Sequence, residues 1–165
     1  MVENINRGKW SQPGVPHTGW TCVDIEDLLK PDATCEMCES AEIRFVHYMR
    51  HPSYQDELKV GAICAGHMEG NVAAAKEREQ HLKSIAGRRS HWLTRKWRES
   101  AKGNAVLNTD GHVVTIFPSK WGGFSYSVKP EFSTKPVFSR RRYPTPDRAK
   151  LAAFDELIRQ AEGGN

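Results

Sequence analysis

Residues 35–67 begin with Cys35-Glu-Met-Cys38 and end with Cys64-Ala-Gly-His67, and 25 residues separate the two pairs. Each pair is spaced so that both side chains of one turn can point at a single ion. Three thiolates and one imidazole would fill the four positions of a tetrahedral Zn²⁺ and leave none for an activated water. The alternative is that these are ordinary buried cysteines and a surface histidine. The spacing predicts one structural zinc ion with four ligands, Cys35, Cys38, Cys64 and His67.

The residues between the pairs have the pattern of a hairpin. Two strand-like stretches lie over 42–50 and 58–63, joined by a loop that contains Pro52. From Cys64 the spacing of apolar residues becomes helical and stays so to about Glu99. Interruptions of this helix are expected at Gly70-Asn71 and Gly87. A cysteine knuckle, a hairpin and a helix that carries ligands together predict a zinc treble clef.

The N-terminal residues, 1–32, are predicted to form an arm that ends in a short helix. That helix is expected over Asp24–Lys30, which has acidic residues at its start and a proline after its end. Trp10 and Trp20 indicate that part of the arm docks onto the rest of the protein. The treble-clef module with its basic helical extension is then expected over 33–103.

Residues 104–165 predict a small antiparallel sheet of three or four strands backed by a C-terminal helix. Asp110-Gly111 and Gly122-Gly123 are typical hairpin turns. Thr145-Pro146-Asp147 supplies an N-cap, a first-turn proline and an acidic residue that together begin a helix. The strands expected here are 105–109, 112–118, 124–129 and 136–143. The predicted fold class is α+β: a zinc treble clef, a basic helix, and an antiparallel sheet with a C-terminal helix.

The composition limits what the chain can be. Its 165 residues suit one domain or two small ones, and 38% are hydrophobic, with a mean hydropathy of -0.64. No apolar run approaches the roughly 20 residues of a membrane helix, and the first residues, MVENINRGKW, lack an apolar signal-peptide core. Four cysteines are too few for a disulfide scaffold of this length. We therefore expect a cytoplasmic protein with no membrane partner.

Charge is distributed unevenly along the chain. Residues 1–75 carry a net charge of −5, residues 76–150 carry +11 and residues 151–165 carry −2. A strongly positive segment with tryptophans among its cations is typical of a surface that binds a polyanion. We therefore predict binding to nucleic acid, either DNA or RNA, and the alternative is a solvated helix face.

Two groups of basic residues are candidates for this contact. On a continuous helix, Arg88, Arg95 and Lys102 would share one face, where they could follow phosphates. On a predicted strand, Arg140 and Arg142 would share one face and could read base edges, the alternative being a charged edge strand that blocks aggregation. The residues predicted to contact phosphates are Arg88, Arg89, Arg95, Lys96 and Arg98.

Three tryptophans lie among these cations. Trp92 and Trp97 either stack on unpaired bases or anchor a helix to its domain. Trp121 precedes two glycines in a predicted hairpin, so it either stacks on a base or closes the hairpin.

The string Cys35-Glu-Met-Cys…Glu42-Ile-Arg-Phe-Val-His47…His51-Pro52…Val60-Gly-Ala-Ile-Cys64-Ala-Gly-His67-Met-Glu-Gly70 resembles a family of bacterial and phage-associated treble-clef zinc proteins. In that family a similar zinc unit is followed by an arginine-rich helix, to which Arg88-Arg-Ser-His-Trp-Leu-Thr-Arg-Lys-Trp-Arg98 corresponds. The resemblance covers roughly residues 33–125 and implies zinc binding without implying a particular activity.

The arrangement is more distantly similar to the HNH nuclease fold, which is also built on a treble clef. In that family a histidine on the first strand acts as general base; His47 lies on the equivalent strand and His51 follows one loop later. The resemblance implies an alternative function, a nuclease or ribonuclease of toxin or defence type with His47 and His51 as catalytic residues. A third alternative is a phage or mobile-element adaptor or inhibitor whose acidic first 75 residues dock a protein partner. The primary expectation is a binding protein rather than an enzyme.

The order of strands and helix after residue 104 resembles Apetala-type and phage-integrase-arm DNA-binding domains. In those domains a three-stranded sheet enters the major groove while one helix packs behind it. The residues that the resemblance places on or near the groove-facing sheet are Lys120, Trp121, Ser125, Tyr126, Arg140 and Arg142.

Overall fold

The computed structural model describes residues 5–163 of the chain. Within these residues there are three α-helices and three antiparallel sheets, so the predicted α+β class is confirmed. The residues divide into two compact units, unit 1 up to Ala86 and unit 2 from Gly87. The last boundary predicted from the sequence lies later, between residues 103 and 104. In this described part of the chain, none of the helices has the length and apolar character needed to cross a membrane.

Unit 1 contains five strands: β1 (Thr21–Asp27), β2 (Ala33–Thr34), β3 (Glu42–Ile43), β4 (Phe45–His51) and β5 (Tyr54–Val60). One antiparallel sheet has the order β1-β4-β5, and a second pairs β2 with β3. The predicted hairpin is confirmed as β4 and β5, although the stretch predicted as its first strand is divided at Arg44 and its loop is shorter than expected. Its second strand begins and ends earlier than the predicted 58–63. The rings of His51 and Tyr54 both pack on Trp20, with centroids 5.2 and 5.3 Å away, and this contact favours the tight turn.

Strand β1 corrects the helix predicted over residues 24–30. Its register places Asp27 opposite Phe45 of β4. The Asp27 carboxylate accepts two hydrogen bonds from the Arg44 guanidinium, at 2.7 and 2.9 Å. An acidic residue that suggested a helix start therefore serves a cross-strand contact, because pairing with β4 outweighs a weak local helix propensity.

Residues of the predicted arm enter the core of unit 1. Trp10, Val15 and Trp20 are all buried, and a 3₁₀ turn at Gly8–Ser11 carries the first of them inward. The indole N–H of Trp20 donates to the Pro16 carbonyl at 2.8 Å. The docking that the tryptophans indicated is confirmed, and this segment is part of the unit rather than a free extension.

Two helices follow β5 in the chain. Helix α1 spans Ala62–Glu69 and helix α2 spans Val72–Ser90. The break predicted at Gly70-Asn71 is confirmed, and the asparagine side chain accepts a backbone hydrogen bond at the start of α2. The second predicted interruption, at Gly87, is wrong, because this residue lies inside α2.

The helix predicted to continue to about Glu99 ends at Ser90. Trp92 supplies the physical reason, because its side chain is buried and its indole N–H donates to a carbonyl of the last helix at 2.6 Å. To place the indole there, the chain leaves the helix through a 3₁₀ turn at Trp92–Thr94. The prediction that Arg88, Arg95 and Lys102 share one face of a helix is therefore wrong.

Unit 2 contains an antiparallel sheet and a helix, α3 (Pro146–Ala161). Its strands are β6 (Arg98–Glu99), β7 (Ala105–Thr109), β8 (His112–Pro118), β9 (Phe124–Pro130) and β10 (Val137–Phe138). Across the sheet they lie in the order β10-β9-β8-β7-β6. The first three strands predicted for this region and the final helix are confirmed to within one residue. The fourth strand, predicted over 136–143, is wrong beyond Phe138.

Helix α3 packs against β8 and β9. The Thr145 hydroxyl caps the helix by accepting a hydrogen bond from Arg148 N at 3.2 Å. Burial alternates in the middle of the two strands, where each has two buried residues, and Tyr126 lies opposite Ile116 in this buried set. Tyr126 lies on the sheet, as the resemblance implies, but its ring belongs to the face that the helix covers and is therefore not available to a groove. The buried residues of α3 are Ala149, Ala153, Phe154 and Leu157.

Candidate metal centre and basic hairpin end

Three cysteine thiols converge in unit 1. The sulfur atoms of Cys35, Cys38 and Cys64 lie within 4.8 Å of one another, all three residues are buried, and none forms a disulfide. Thiolates are soft ligands suited to Zn²⁺, and three sulfurs at this separation can coordinate one ion. The cysteine part of the predicted metal centre is therefore present.

The backbone around the cysteines fixes their positions. In the turn between Cys35 and Cys38, Glu39 N donates to the Cys35 carbonyl at 2.8 Å, and Glu36 N donates to the Lys59 carbonyl of β5 at 2.8 Å. Cys64 lies in the first turn of α1, which begins directly after β5. Strand β5 therefore connects the two halves of the cluster.

The thiols of the cluster do not hold their protons equally. A hydrogen bond from the Cys64 thiol lowers the pKa of Cys35 to about 5; burial opposes this change, and backbone N–H groups of Cys38, Gly61 and Met37 add to it. The same hydrogen bond raises the pKa of Cys64, as does burial. The lowered pKa of Cys35 favours its thiolate form, and a buried thiolate attracts a metal cation.

His67, the fourth predicted ligand, does not belong to the cluster of donor atoms, which consists of the sulfurs of Cys35, Cys38 and Cys64. It lies near the end of α1, and its ring meets that of Trp10 edge-on with centroids 6.5 Å apart. The indole N–H of Trp10 donates to the sulfur of Cys64 at 3.4 Å. The structure therefore brings three of the four predicted ligands together. It also adds Trp10, whose only sequence signal was a large apolar side chain in a polar arm.

A cavity of about 710 Å³ borders the cluster, and the three cysteines form part of its wall. Arg44, Lys76, Lys83 and Glu79 line other parts of it. The Lys83 ammonium forms an ion pair with Glu79 at 3.3 Å and lies 5.5 Å from the centroid of the Phe45 ring. The cavity therefore places acidic and basic side chains in the same wall as the thiols.

His47, one of the two candidate catalytic residues, is fully buried. Its Nδ1 accepts hydrogen bonds from the Arg78 guanidinium at 3.1 and 3.2 Å, and its Nε2 lies 3.4 Å from a Glu79 carboxylate oxygen. Arg78 also donates to Glu69 at 2.7 Å. Both ring nitrogens therefore hold α2 against β4, and the ring presents no surface to a substrate.

His51, the second candidate, lies at the end of β4. Its Nε2 is 3.0 Å from the Thr18 carbonyl oxygen, and its Nδ1 accepts a hydrogen bond from Ser53 N at 2.9 Å. Its ring packs edge-on against Trp20. Both nitrogens of this ring are engaged by backbone groups of the protein, whereas those of the His47 ring contact side chains of α2.

Arg88 and Arg89, which were predicted to contact phosphates, are each paired with a carboxylate. Arg88 pairs with Asp110 in the turn between β7 and β8, and Arg89 Nε lies 3.0 Å from a carboxylate oxygen of Asp155 in α3. Exposed ion pairs of this kind contribute little stability. They nevertheless leave less uncompensated charge for an anion at the end of α2.

Arg95, Lys96 and Arg98 lie in the segment between α2 and the sheet. The Arg95 guanidinium donates to the Thr109 hydroxyl at 3.4 and 3.5 Å. Arg98 lies in β6, and all three cations are exposed. They are surface cations, as predicted, but they do not lie on a helix.

Trp92 and Trp97 form part of the core contacts of unit 2. Their rings meet edge-on with centroids 5.4 Å apart, and Trp92 also packs against Phe154 of α3 at 5.0 Å. The Lys150 ammonium lies 4.9 Å from the centroid of the Trp97 ring. Of the two interpretations offered for this pair, the anchoring of a segment to its domain is confirmed.

Trp121 lies in the turn between β8 and β9, and 73% of its surface is exposed. The Lys120 ammonium lies 5.2 Å from the centroid of its ring. The Arg142 guanidinium donates a hydrogen bond to the Trp121 carbonyl. We call this turn, residues 119–123, together with the adjoining residues 140–144, the hairpin end.

The arginines at 140–142 do not form the predicted strand. The chain leaves the sheet after Phe138, bends through the arginines and returns at Tyr143, which exchanges two backbone hydrogen bonds of 2.8 Å with Phe124. The bend has a local reason, because the Ser139 hydroxyl, in place of a backbone carbonyl, accepts the hydrogen bond from Tyr126 N of β9. The prediction that Arg140 and Arg142 share one face of a strand is therefore wrong.

A second cavity, of about 560 Å³, lies at the hairpin end. The three arginines that line it are exposed, and none has a carboxylate within 4.0 Å in the described part of the chain. Guanidinium groups bind phosphate through paired N–H donors, so this cavity suits an anion. Its lining residues are Gly122, Gly123, Arg140, Arg141, Arg142, Tyr143 and Pro144.

Comparisons with protein-family models, with curated proteins and with solved structures found no match for this chain. The resemblances to treble-clef, HNH and Apetala-type families therefore stay predictions.

Proposed function

We propose that this protein binds nucleic acid through unit 2 and that a zinc ion stabilises the fold of unit 1. The charges of the two units support this division. Residues 1–86 hold 9 lysines and arginines against 13 aspartates and glutamates, a net charge of −4, whereas residues 87–165 hold 15 against 7, a net charge of +8. A polyanion is therefore attracted to the second unit and repelled by the first.

The hairpin end is the observation that carries the nucleic-acid proposal. Three consecutive exposed arginines line one cavity there, and an exposed indole with a lysine over its ring lies in the same turn. Arginine binds phosphate oxygens, and aromatic rings stack on bases. These side chains combine the two contacts that nucleic acid offers, its charged backbone and its flat bases.

The donor set in unit 1 fits zinc. A Zn–S bond is about 2.3 Å long, so the three sulfurs need to draw together by only about an ångström around one ion. His67 lies three residues after Cys64 in α1, and we propose that its ring turns away from Trp10 to become the fourth ligand. Four protein ligands close the site, so the ion acts on folding, and the knuckle, hairpin and helix form a treble clef.

A salt titration of oligonucleotide binding tests the nucleic-acid proposal. Fluorescence anisotropy with labelled DNA and RNA should give an affinity that falls linearly with salt on logarithmic axes, because bound cations release counterions. Replacing one contacting cation, Arg141→Ala, should flatten the slope by about one ion. Arg50→Ala is the matched control, since this exposed arginine lies in unit 1 and pairs with Glu57 at 2.8 Å. Failure to bind DNA and RNA at low salt would contradict the proposal.

A further inference from the structure

Trp121 differs from the other four tryptophans. Trp10, Trp20 and Trp92 are buried and Trp97 is half-buried, whereas Trp121 is the one described tryptophan whose ring lies mostly in water. An indole in water contributes little to a core, and such rings are enriched where a ligand or partner binds. The Lys120 ammonium lies over one part of this ring, and the rest of its exposed surface can receive a flat ligand.

The backbone that carries this indole is held by hydrogen bonds. Trp121 N donates to the Ser119 hydroxyl at 3.2 Å, and Ser119 N donates to the Gly123 carbonyl at 2.9 Å. The Arg142 guanidinium donates to the Trp121 carbonyl. Because the turn is already ordered by these contacts, a ligand does not have to supply the free energy of ordering it.

The arginine-lined cavity adjoins the same residue. Arg142 both contacts the Trp121 carbonyl and lines the cavity. At Gly122, which also lines it, no atom lies within 4 Å of the position that a Cβ would take, so this part of the rim is open. An anion in the cavity therefore lies beside the turn that presents the indole.

We propose that the hairpin end binds an unpaired nucleotide, with the base stacked on the Trp121 indole and an adjoining phosphate in the arginine-lined cavity. The inference rests on the proposed nucleic-acid function and names the form of nucleic acid. A base inside a duplex has both faces covered by neighbouring bases, so an indole can stack only on a base that is unstacked. The hairpin end therefore selects single strands over duplexes.

Binding to one strand in two forms tests this selection. The full chain, purified with zinc, is titrated by anisotropy against labelled oligothymidylate and against the same strand paired with oligoadenylate. The wild type should bind the single strand more tightly. Trp121→Ala should weaken single-strand binding by about 5-fold to about 150-fold, the range for one base–aromatic stack, and change duplex binding by less than about 2-fold.

Two further variants separate stacking from other effects. Phe132→Ala is the matched control, because Phe132 is 99% exposed and does not line the cavity, so neither affinity should change. Trp121→Phe keeps an aromatic face and should retain most of the single-strand affinity, which a general loss of fold would not allow.

The remaining outcomes would contradict the inference. Equal weakening of both forms by Trp121→Ala, or no weakening of the single-strand complex, would overturn the stacking inference. Tight, salt-dependent binding of the duplex alone would also overturn it while leaving the nucleic-acid function in place. If the wild type binds neither form, this inference fails, and the proposed function fails with it when the salt titration also finds no binding to RNA.

Discussion

Gly123 determines where the arginines of the hairpin end lie. Its φ is +71°, and a Cβ at this position would lie 2.7 Å from the carbonyl oxygen of Tyr143. The close approach is required by the paired backbone hydrogen bonds between Phe124 and Tyr143. A larger residue would have to push the segment that carries residues 140–142 away from the turn.

Gly123→Ala should therefore destabilise unit 2 by about 2 to 4 kcal/mol, from the left-handed backbone together with the steric contact. Gly122→Ala is the matched control, since its φ is +93° but no atom lies within 4 Å of its Cβ position. This variant should lose only the stability that the left-handed backbone costs, about 1 to 2 kcal/mol. Urea unfolding of the two variants measures the difference, and equal losses would show that the Tyr143 carbonyl does not limit the site.

The contact between α2 and β4 explains why a buried histidine lies in unit 1. His47 on β4 accepts hydrogen bonds from Arg78 and faces Glu79, and both partners are on α2. Burial raises the pKa of Glu79, but the hydrogen bond to His47 and the nearby Lys83 ammonium outweigh this and hold the pKa below its ordinary value. The histidine that suggested catalysis from sequence therefore connects a helix to a strand.

Glu79→Leu should destabilise the protein by about 1 to 3 kcal/mol, because the N–H of the buried His47 ring loses its acceptor. Glu79→Gln keeps an amide oxygen at the same place and should cost less. Lys83→Ala removes the i,i+4 ion pair, worth about 0.3 to 0.5 kcal/mol, together with the cation–π contact to Phe45, worth about 0.5 to 1 kcal/mol at an exposed site. Urea midpoints measure all three, and equal costs for the leucine and glutamine variants would contradict this role.

The Glu79 carboxylate also determines how the stability of the protein changes with pH. A carboxyl group whose folded pKa is lowered adds stability above its unfolded pKa, and this stability is lost as the pH falls through the folded pKa. The stability difference between the wild type and Glu79→Gln should therefore shrink in acid.

The division of the chain into two units predicts how the whole molecule responds to loss of metal. If the proposed zinc ion binds the buried thiols, its binding and the folding of unit 1 share their free energy. Chelation should therefore remove hydrogen-exchange protection from β4, β5 and α1 while the sheet and α3 of unit 2 keep theirs. Elemental analysis should find one zinc per chain before chelation.

Two cysteine variants provide the comparison for the metal. Cys64→Ser removes a sulfur of the cluster and should lose the ion, whereas Cys22→Ser changes a half-buried thiol outside the cluster and should keep it. Protein that contains no metal when purified, or unit 1 protection that survives chelation, would contradict a structural zinc.

Short-range patterns in the sequence were enough to predict several features. The turn between Cys35 and Cys38, the break at Gly70-Asn71, the hairpin turn at Asp110-Gly111 and the helix start at Thr145-Pro146 all depend on residues within a few positions of one another. Local hydrogen bonds and allowed backbone angles decide such features, so they can be recognised without knowledge of the rest of the chain.

Contacts between distant residues decided the remainder. The bond from Trp10 to Cys64 joins positions 54 residues apart, and that from Trp92 to the last helix joins positions 58 apart. Such contacts made residues 24–27 a strand, ended α2 at Ser90 and buried His47. The amino-acid order alone predicted which thiols cluster and determined the charge of each half. Tertiary packing determined which of the competing local structures formed. Burying one large apolar side chain contributes about 1.5 to 3 kcal/mol, which exceeds the local secondary-structure propensities that favoured the other structures.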